Sequence, residues 1–147
     1  MKAIIFIETL LIFFGALEIG AFKTQPFKVD PAALYQTYNE IYFNNELPKN
    51  IDVLAEEPPD VRPGDKVIAI TYHSGHSHWY RMYVSPKLNP TLNYEEESVL
   101  HEQCHIEVEE DYESRNEIYI DNSNGHGKPW QDCMKRLANE DAFSTIW

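Results

Sequence analysis

Cysteine is scarce: Cys104 and Cys133 are the only two in 147 residues. Two thiols exclude the disulfide-framework class of small secreted domains. Cys104 reads as a small, buried, inert thiol. A Cys104–Cys133 bridge would suit an exported chain, but nothing in the sequence demands it. Positive charge is scarce too. Twelve basic side chains stand against twenty-four acidic ones, a formal net charge of −12. Lys135-Arg136 is the only adjacent basic pair. No basic patch therefore offsets repulsion from a polyanion, and DNA binding is not expected. Internal repeats and low-complexity tracts are missing as well. Hydrophobic residues make up 43% and aromatics 13%, enough to bury the core of one compact domain.

One apolar tract opens the chain. Met1-Lys2 precede a stretch dense in Ile, Leu and Phe that runs to Phe22. Thr9–Leu17 has the length of a signal-peptide core, and Ile19-Gly20-Ala21 offers small residues for cleavage. Ala3–Phe22 also approaches the ~20 residues that cross a bilayer. Glu8 and Glu18 weigh against a span, since a central carboxylate costs about 2.5–3.5 kcal/mol. Residues 1–22 are read as a hydrophobic leader or membrane anchor, with membrane association through residues 3–22. An exported or membrane-anchored protein is expected. The alternatives are an apolar helix docked on a cytoplasmic domain, or a misassigned start. Residues 23–29 read as a linker, and residues 30–147 as the folded domain.

Within that domain, Asp30-Pro31 is a good helix start, with Asp30 as cap and Pro31 at the first helical position. Leu34, Tyr38, Ile41 and Tyr42 recur at helical steps, so Pro31–Phe43 is an amphipathic helix, stopped by the Asn44–Pro48 segment. Ile51–Leu54 is a short strand. Val67–Tyr72 and Trp79–Val84 form an antiparallel pair, joined by a turn holding His73, His76 and His78. Asn93 and three glutamates introduce a second helix over Tyr94–Glu110. Asp111–Gly127 reads as mostly loop. Pro129–Asn139 is the last helix, with Trp130, Cys133, Met134 and Leu137 on one face. The order α-β-β-β-α-α gives a small α+β fold with a short antiparallel sheet.

His101-Glu102-Gln103-Cys104-His105 lies inside the second helix. Residues four apart share a helix face, so both imidazoles can meet one ion. Imidazole binds zinc at about 2.0–2.1 Å. Glu102 can lean toward the open coordination position and serve as general base. Val99, Leu100, Cys104 and Val108 would face the core. A peptidase zinc site needs a third protein ligand. His126 is preferred, flanked by Gly125 and Gly127 and followed by Pro129. Glu117 and Asp121 are the carboxylate competitors. His73, His76 and His78 could make a second metal site, but a solvated histidine-rich turn is the plainer reading, because no acidic partner lies at ligand spacing. Trp79–Val84 reads equally as an edge strand that pairs an extended peptide above the cleft and as an ordinary half-buried strand.

Tyr38–Pro48, the helix ending Leu100–His105, and Gly125-His126-Gly127-Lys128-Pro129-Trp130 occur in an order that resembles the SprT-like zinc metallopeptidase family. The resemblance spans most of Leu34–Leu137. It implies a zincin-type domain with an HExxH active-site helix, zinc held by His101, His105 and His126, Glu102 as catalytic residue, and a protein or peptide substrate. Many family members carry a C-terminal cysteine-rich zinc ribbon, which this sequence lacks, and some act on DNA-bound proteins. Here Glu95–Glu117 holds ten acidic residues against Arg115 alone, which argues against inherited DNA dependence. The competing functions are a non-catalytic, zinc-stabilised binding module and a protease of DNA-associated proteins.

Overall fold

The structure is a computed structural model that describes residues 29–59, 61–74, 79–119, 123 and 125–143. The expected leader and most of the linker, and also Asp121, His76 and His78, lie outside the described residues. The elements are α1 (Pro31–Tyr42), β1 (Ile51–Leu54), β2 (Ala69–Ser74), β3 (Trp79–Val84), α2 (Leu92–Ser114) and α3 (Lys128–Asn139). Among the described residues these make a small α+β fold of three helices and one three-stranded sheet. No helix among the described residues is long and apolar enough to cross a membrane.

The start of α1 follows its sequence signal. Asp30 Oδ1 accepts the Ala32 N–H at 3.0 Å, and Pro31 opens the helix. The face that α1 buries differs from the apolar stripe. Leu34, Tyr35 and Asn39 point inward, while Ile41 is 57% exposed. Asn39 turns inward because both ends of its amide are used. Its Nδ2 donates to the Leu47 carbonyl, and its Oδ1 accepts the Leu47 N–H, both at 3.1 Å. A buried amide satisfied at both ends pins the loop after α1. Tyr35 adds a bond from its hydroxyl to the Pro48 carbonyl at 2.7 Å.

The sheet is mixed, not antiparallel throughout. Its order is β1-β3-β2; β2 pairs antiparallel with β3, but β1 pairs parallel with it. Parallel neighbours need a long crossover, and the chain between β1 and β3 supplies one. An exposed ion pair marks the register on that side: Arg81 Nη2 reaches Asp52 Oδ2 at 2.7 Å, directly across the ladder. β3 is thus the central strand and not the edge. Its burial alternates, with Tyr80, Met82 and Val84 inward. The edge nearest α2 is β2.

α2 runs longer than expected, two residues earlier and four later. Val99, Leu100, Cys104 and Val108 are all buried, as read from sequence. Gln103 Nε2 ties α2 to α1 by donating to the Tyr35 carbonyl at 2.9 Å. α3 buries Cys133 and Leu137, with Trp130 and Met134 packed partly against the core. Cys104 and Cys133 are bonded as a disulfide, with Cα atoms 5.7 Å apart. The inert-thiol reading of Cys104 is therefore corrected. Burial on two facing helices brings the two sulfurs within bonding reach, a closeness that a separation of 29 residues does not reveal.

Candidate metal centre

α2 presents His101 and His105 one turn apart on one face, as the four-residue spacing requires. His126 arrives from the turn before α3. Its N–H donates to the Ser123 carbonyl at 3.2 Å, and its own carbonyl accepts Gln131 Nε2 at 3.0 Å. These bonds fix the backbone that carries the ring. Among the described residues, His101, His105 and His126 are the one group of three or more such side chains whose ligand atoms all lie within 4.8 Å of one another.

The geometry fits a small tetrahedral ion. His101 Nε2 lies 3.2 Å from His105 Nε2 and 3.1 Å from His126 Nε2. Two nitrogens bound to one zinc at the tetrahedral angle would sit about 3.3–3.4 Å apart. The three ring centroids are each 5.0 Å from the others, at interplanar angles of 57–67°. That near-threefold arrangement gathers three imidazole nitrogens, a donor set suited to zinc and other borderline divalent ions.

Two residues shape this cluster from outside. Trp130 packs against all three imidazoles at centroid distances of 4.5–5.7 Å, and its Nε1 donates to the His101 carbonyl at 3.3 Å. Gly125 has φ +81°, and a Cβ there would sit 3.1 Å from His105 Cε1. The backbone angle and the crowding both require glycine. The glycine beside His126 was visible in the sequence. Nothing in the sequence separated Trp130's contact with the histidines from ordinary core packing.

Protonation is tuned by burial. The His101 imidazole is pushed down to about 4, by desolvation first and then by His105 and His126. It is neutral at physiological pH and ready to bind a cation. Glu102 is only 4% exposed. Burial pushes its carboxyl up to about 7, the side chain and backbone of Thr71 oppose the rise, and Glu109 adds slightly to it. The Thr71 hydroxyl is buried beside this carboxylate. Thr71 stands on β2, a contact with Glu102 that no sequence signal announced. A carboxyl with a raised folded pKa contributes stability that is complete below its unfolded value and lost as pH rises through the folded one. Metal-free Glu102→Gln protein should therefore exceed metal-free wild type in stability by about 2–3 kcal/mol near pH 8. The gap should shrink below about 1 kcal/mol near pH 5. Urea denaturation at the two pH values measures it; a gap independent of pH would contradict the buried, proton-hungry carboxyl. His101 titrates in both proteins, so its opposite effect cancels.

The competitors fare differently. Glu117 is exposed and pairs with Arg115 at 3.4 Å, outside the histidine cluster. His73 is not part of a solvated turn. It sits in β2, its ring stacked on Tyr80 at 4.3 Å. Its Nδ1 faces Glu109 at 3.2 Å and its Nε2 faces Glu113 at 3.3 Å. The acidic partners missing at sequence spacing come from α2, brought near by the tertiary fold. Among the described residues no metal-binding group includes His73.

Beside the cluster runs a 560 Å³ groove between the start of β2 and the first turns of α2. His101 and Glu102 both line it. The arrangement can hold a divalent cation, keep a buried carboxyl next to it and admit an extended ligand along β2. No protein-family model, no curated protein and no solved structure matches this chain.

Proposed function

We propose that the protein is a zinc-dependent metallopeptidase of the SprT-like kind. His101, His105 and His126 would hold the ion, and Glu102 is the general base. The observation that carries this reading is the equal-sided triad of imidazoles, one of which, His101, lines a groove together with the buried carboxyl of Glu102. When bound, zinc would acidify a water and polarise the scissile carbonyl. The rest falls to the chain. Glu102 accepts the water's proton as hydroxide adds to the carbonyl carbon. It then passes that proton to the departing amine as the C–N bond breaks. β2 guides the substrate. The Ser85 N–H bond to the Ile68 carbonyl makes these two a directly bonded pair. Alternation along the ladder then turns the backbone groups of Ala69, Thr71 and His73 away from β3. The Thr71 backbone already serves Glu102, which leaves the backbone groups of Ala69 and His73 to bond an extended peptide along that edge.

A non-catalytic role, with zinc as a staple between α2 and α3, has less support. The Cys104–Cys133 disulfide already joins those helices, so a metal staple would duplicate it. The disulfide also favours the exported or membrane-anchored reading over the cytoplasmic one, because such bonds persist in oxidising compartments. Cleavage of DNA-associated proteins finds no support in a chain this acidic.

The test is direct. Zinc-loaded wild type should cut unfolded protein substrates, and Glu102→Gln should retain its metal while losing at least about a hundredfold in rate, the low end of general-base catalysis. Full activity in that variant would remove Glu102 from the mechanism. A metal-loaded wild type that cuts nothing would leave the binding-module reading in its place.

A further inference from the structure

The walls of the groove carry information about what enters it. On one side stand Val67 and Ile68, just ahead of β2; on the other stands Tyr94, in the first turn of α2. Ile68 is 48% exposed and Tyr94 52%, two of the five large hydrophobic residues among the described ones that are more than a third exposed. Single exposed apolar residues are ordinary, but apolar side chains facing one another across a groove mark a binding surface. Of the ionisable side chains at this groove, Lys66 lines the strand wall and Glu97, His101 and Glu102 the helix wall, so groups of both signs stand beside the apolar ones. Its volume lies within the ~300–1,000 Å³ of small-ligand sites.

The walls are also held in place. Ser98 Oγ on α2 donates to Asn89 Oδ1 at 2.6 Å. Asn89 Nδ2 donates in turn to the carbonyls of Ile68 at 3.1 Å and Ser85 at 2.8 Å. Ser85, Asn89 and Ser98 are all buried. A satisfied buried network of this kind rigidifies what it joins. It couples the strand wall to the helix wall, so the gap between Ile68 and Tyr94 is preset before a ligand arrives.

We propose that this groove selects a bulky apolar side chain of an extended peptide, next to the bond that Glu102 and the histidines attack. The inference rests on the peptidase reading for the cleavage step, but not for binding. A peptide added along β2 projects alternate side chains to one face. One of them drops between Val67, Ile68 and Tyr94, with Ala69 supplying backbone hydrogen bonds beside it.

The experiment uses the full chain, zinc-loaded, and one peptide sequence varied at a single position among Leu, Phe, Ala and Asp, scanned along the peptide. Cleavage is followed in wild type. Binding of the same labelled peptides is followed by fluorescence anisotropy in Glu102→Gln. At one position Leu and Phe should exceed Ala by about tenfold or more in both readouts, a hydrophobic-pocket discrimination, and Asp should be worst. Tyr94→Ser and the double variant Val67→Ser/Ile68→Ser should drive that ratio toward one. Cleavage with no apolar preference, or a preference that survives both variants, overturns the inference. Selective binding without any cleavage would overturn the peptidase reading while sustaining the groove's selectivity; binding indifferent to the side chain overturns the groove.

Discussion

His126→Ala should weaken zinc binding by more than about a hundredfold, while the far-ultraviolet spectrum stays that of the wild type. Losing a hydrogen-bond partner behind a zinc ligand already costs about 10–100-fold in affinity, and a lost ligand costs more. His101 and His105 would remain as a two-point site on one helix face, with the ion open to solvent. The fold should survive because α3 has other attachments: Leu137 is fully buried, Arg136 donates to the Tyr42 carbonyl at 2.7 Å, and the disulfide bonds Cys133 to α2. Competition with a chromophoric chelator measures the affinity. Unchanged binding would mean that another side chain completes the site, and a carboxylate would then be the first suspect.

Removal of the disulfide should have the largest effect on stability. The bond spans 29 residues, and the loop-entropy relation for that length gives about 3–4 kcal/mol. Both sulfurs belong to buried residues, Cys104 at 0% and Cys133 at 4% exposure. Serine at these positions would bring hydroxyls into an apolar site, so Cys104→Ala/Cys133→Ala is the cleaner variant. Its metal-free form should show a urea midpoint lowered in proportion, a loss of roughly a fifth to four-fifths of a typical domain's stability. Native wild-type protein should meanwhile yield no free thiol to an alkylating reagent until it is reduced. Two reactive thiols in native protein, or an unchanged midpoint, would mean that the pair is not joined in the folded state.

Much of the architecture could be read from local chemistry. Asp30-Pro31 and Pro129 marked helix starts because capping and a fixed proline φ act within one turn. The spacing of His101 and His105 spoke plainly, since a helix makes four residues a single face. His126 was legible through its flanking glycines, one of which must approach His105. What stayed hidden depended on distant partners. Four residues of β1 carry no mark of which side of β3 they will join, so the mixed sheet and the central place of β3 went unread. Nothing local marks Asn39 for the core, because its burial is licensed by Leu47 backbone groups eight positions away. Glu109 and Glu113 meet His73 only after α2 packs on the sheet, and Thr71 meets Glu102 for the same reason. The disulfide belongs with these: two buried sulfurs find each other through helix packing, not through spacing.

The separation of His126 from its partners also has a meaning in time. A ribosome releases the HExxH pair 21 residues before the histidine that completes the triad, as the numbers 105 and 126 show. At about 5–20 residues per second this is a delay of roughly 1–4 s. The cysteine that closes the loop, Cys133, emerges later still. A nascent chain therefore displays two imidazoles and an uncovered carboxyl before it owns a tight metal site. The three-histidine cluster is assembled only as the turn before α3 folds back onto α2, so an unfinished chain cannot present all three imidazoles to one ion.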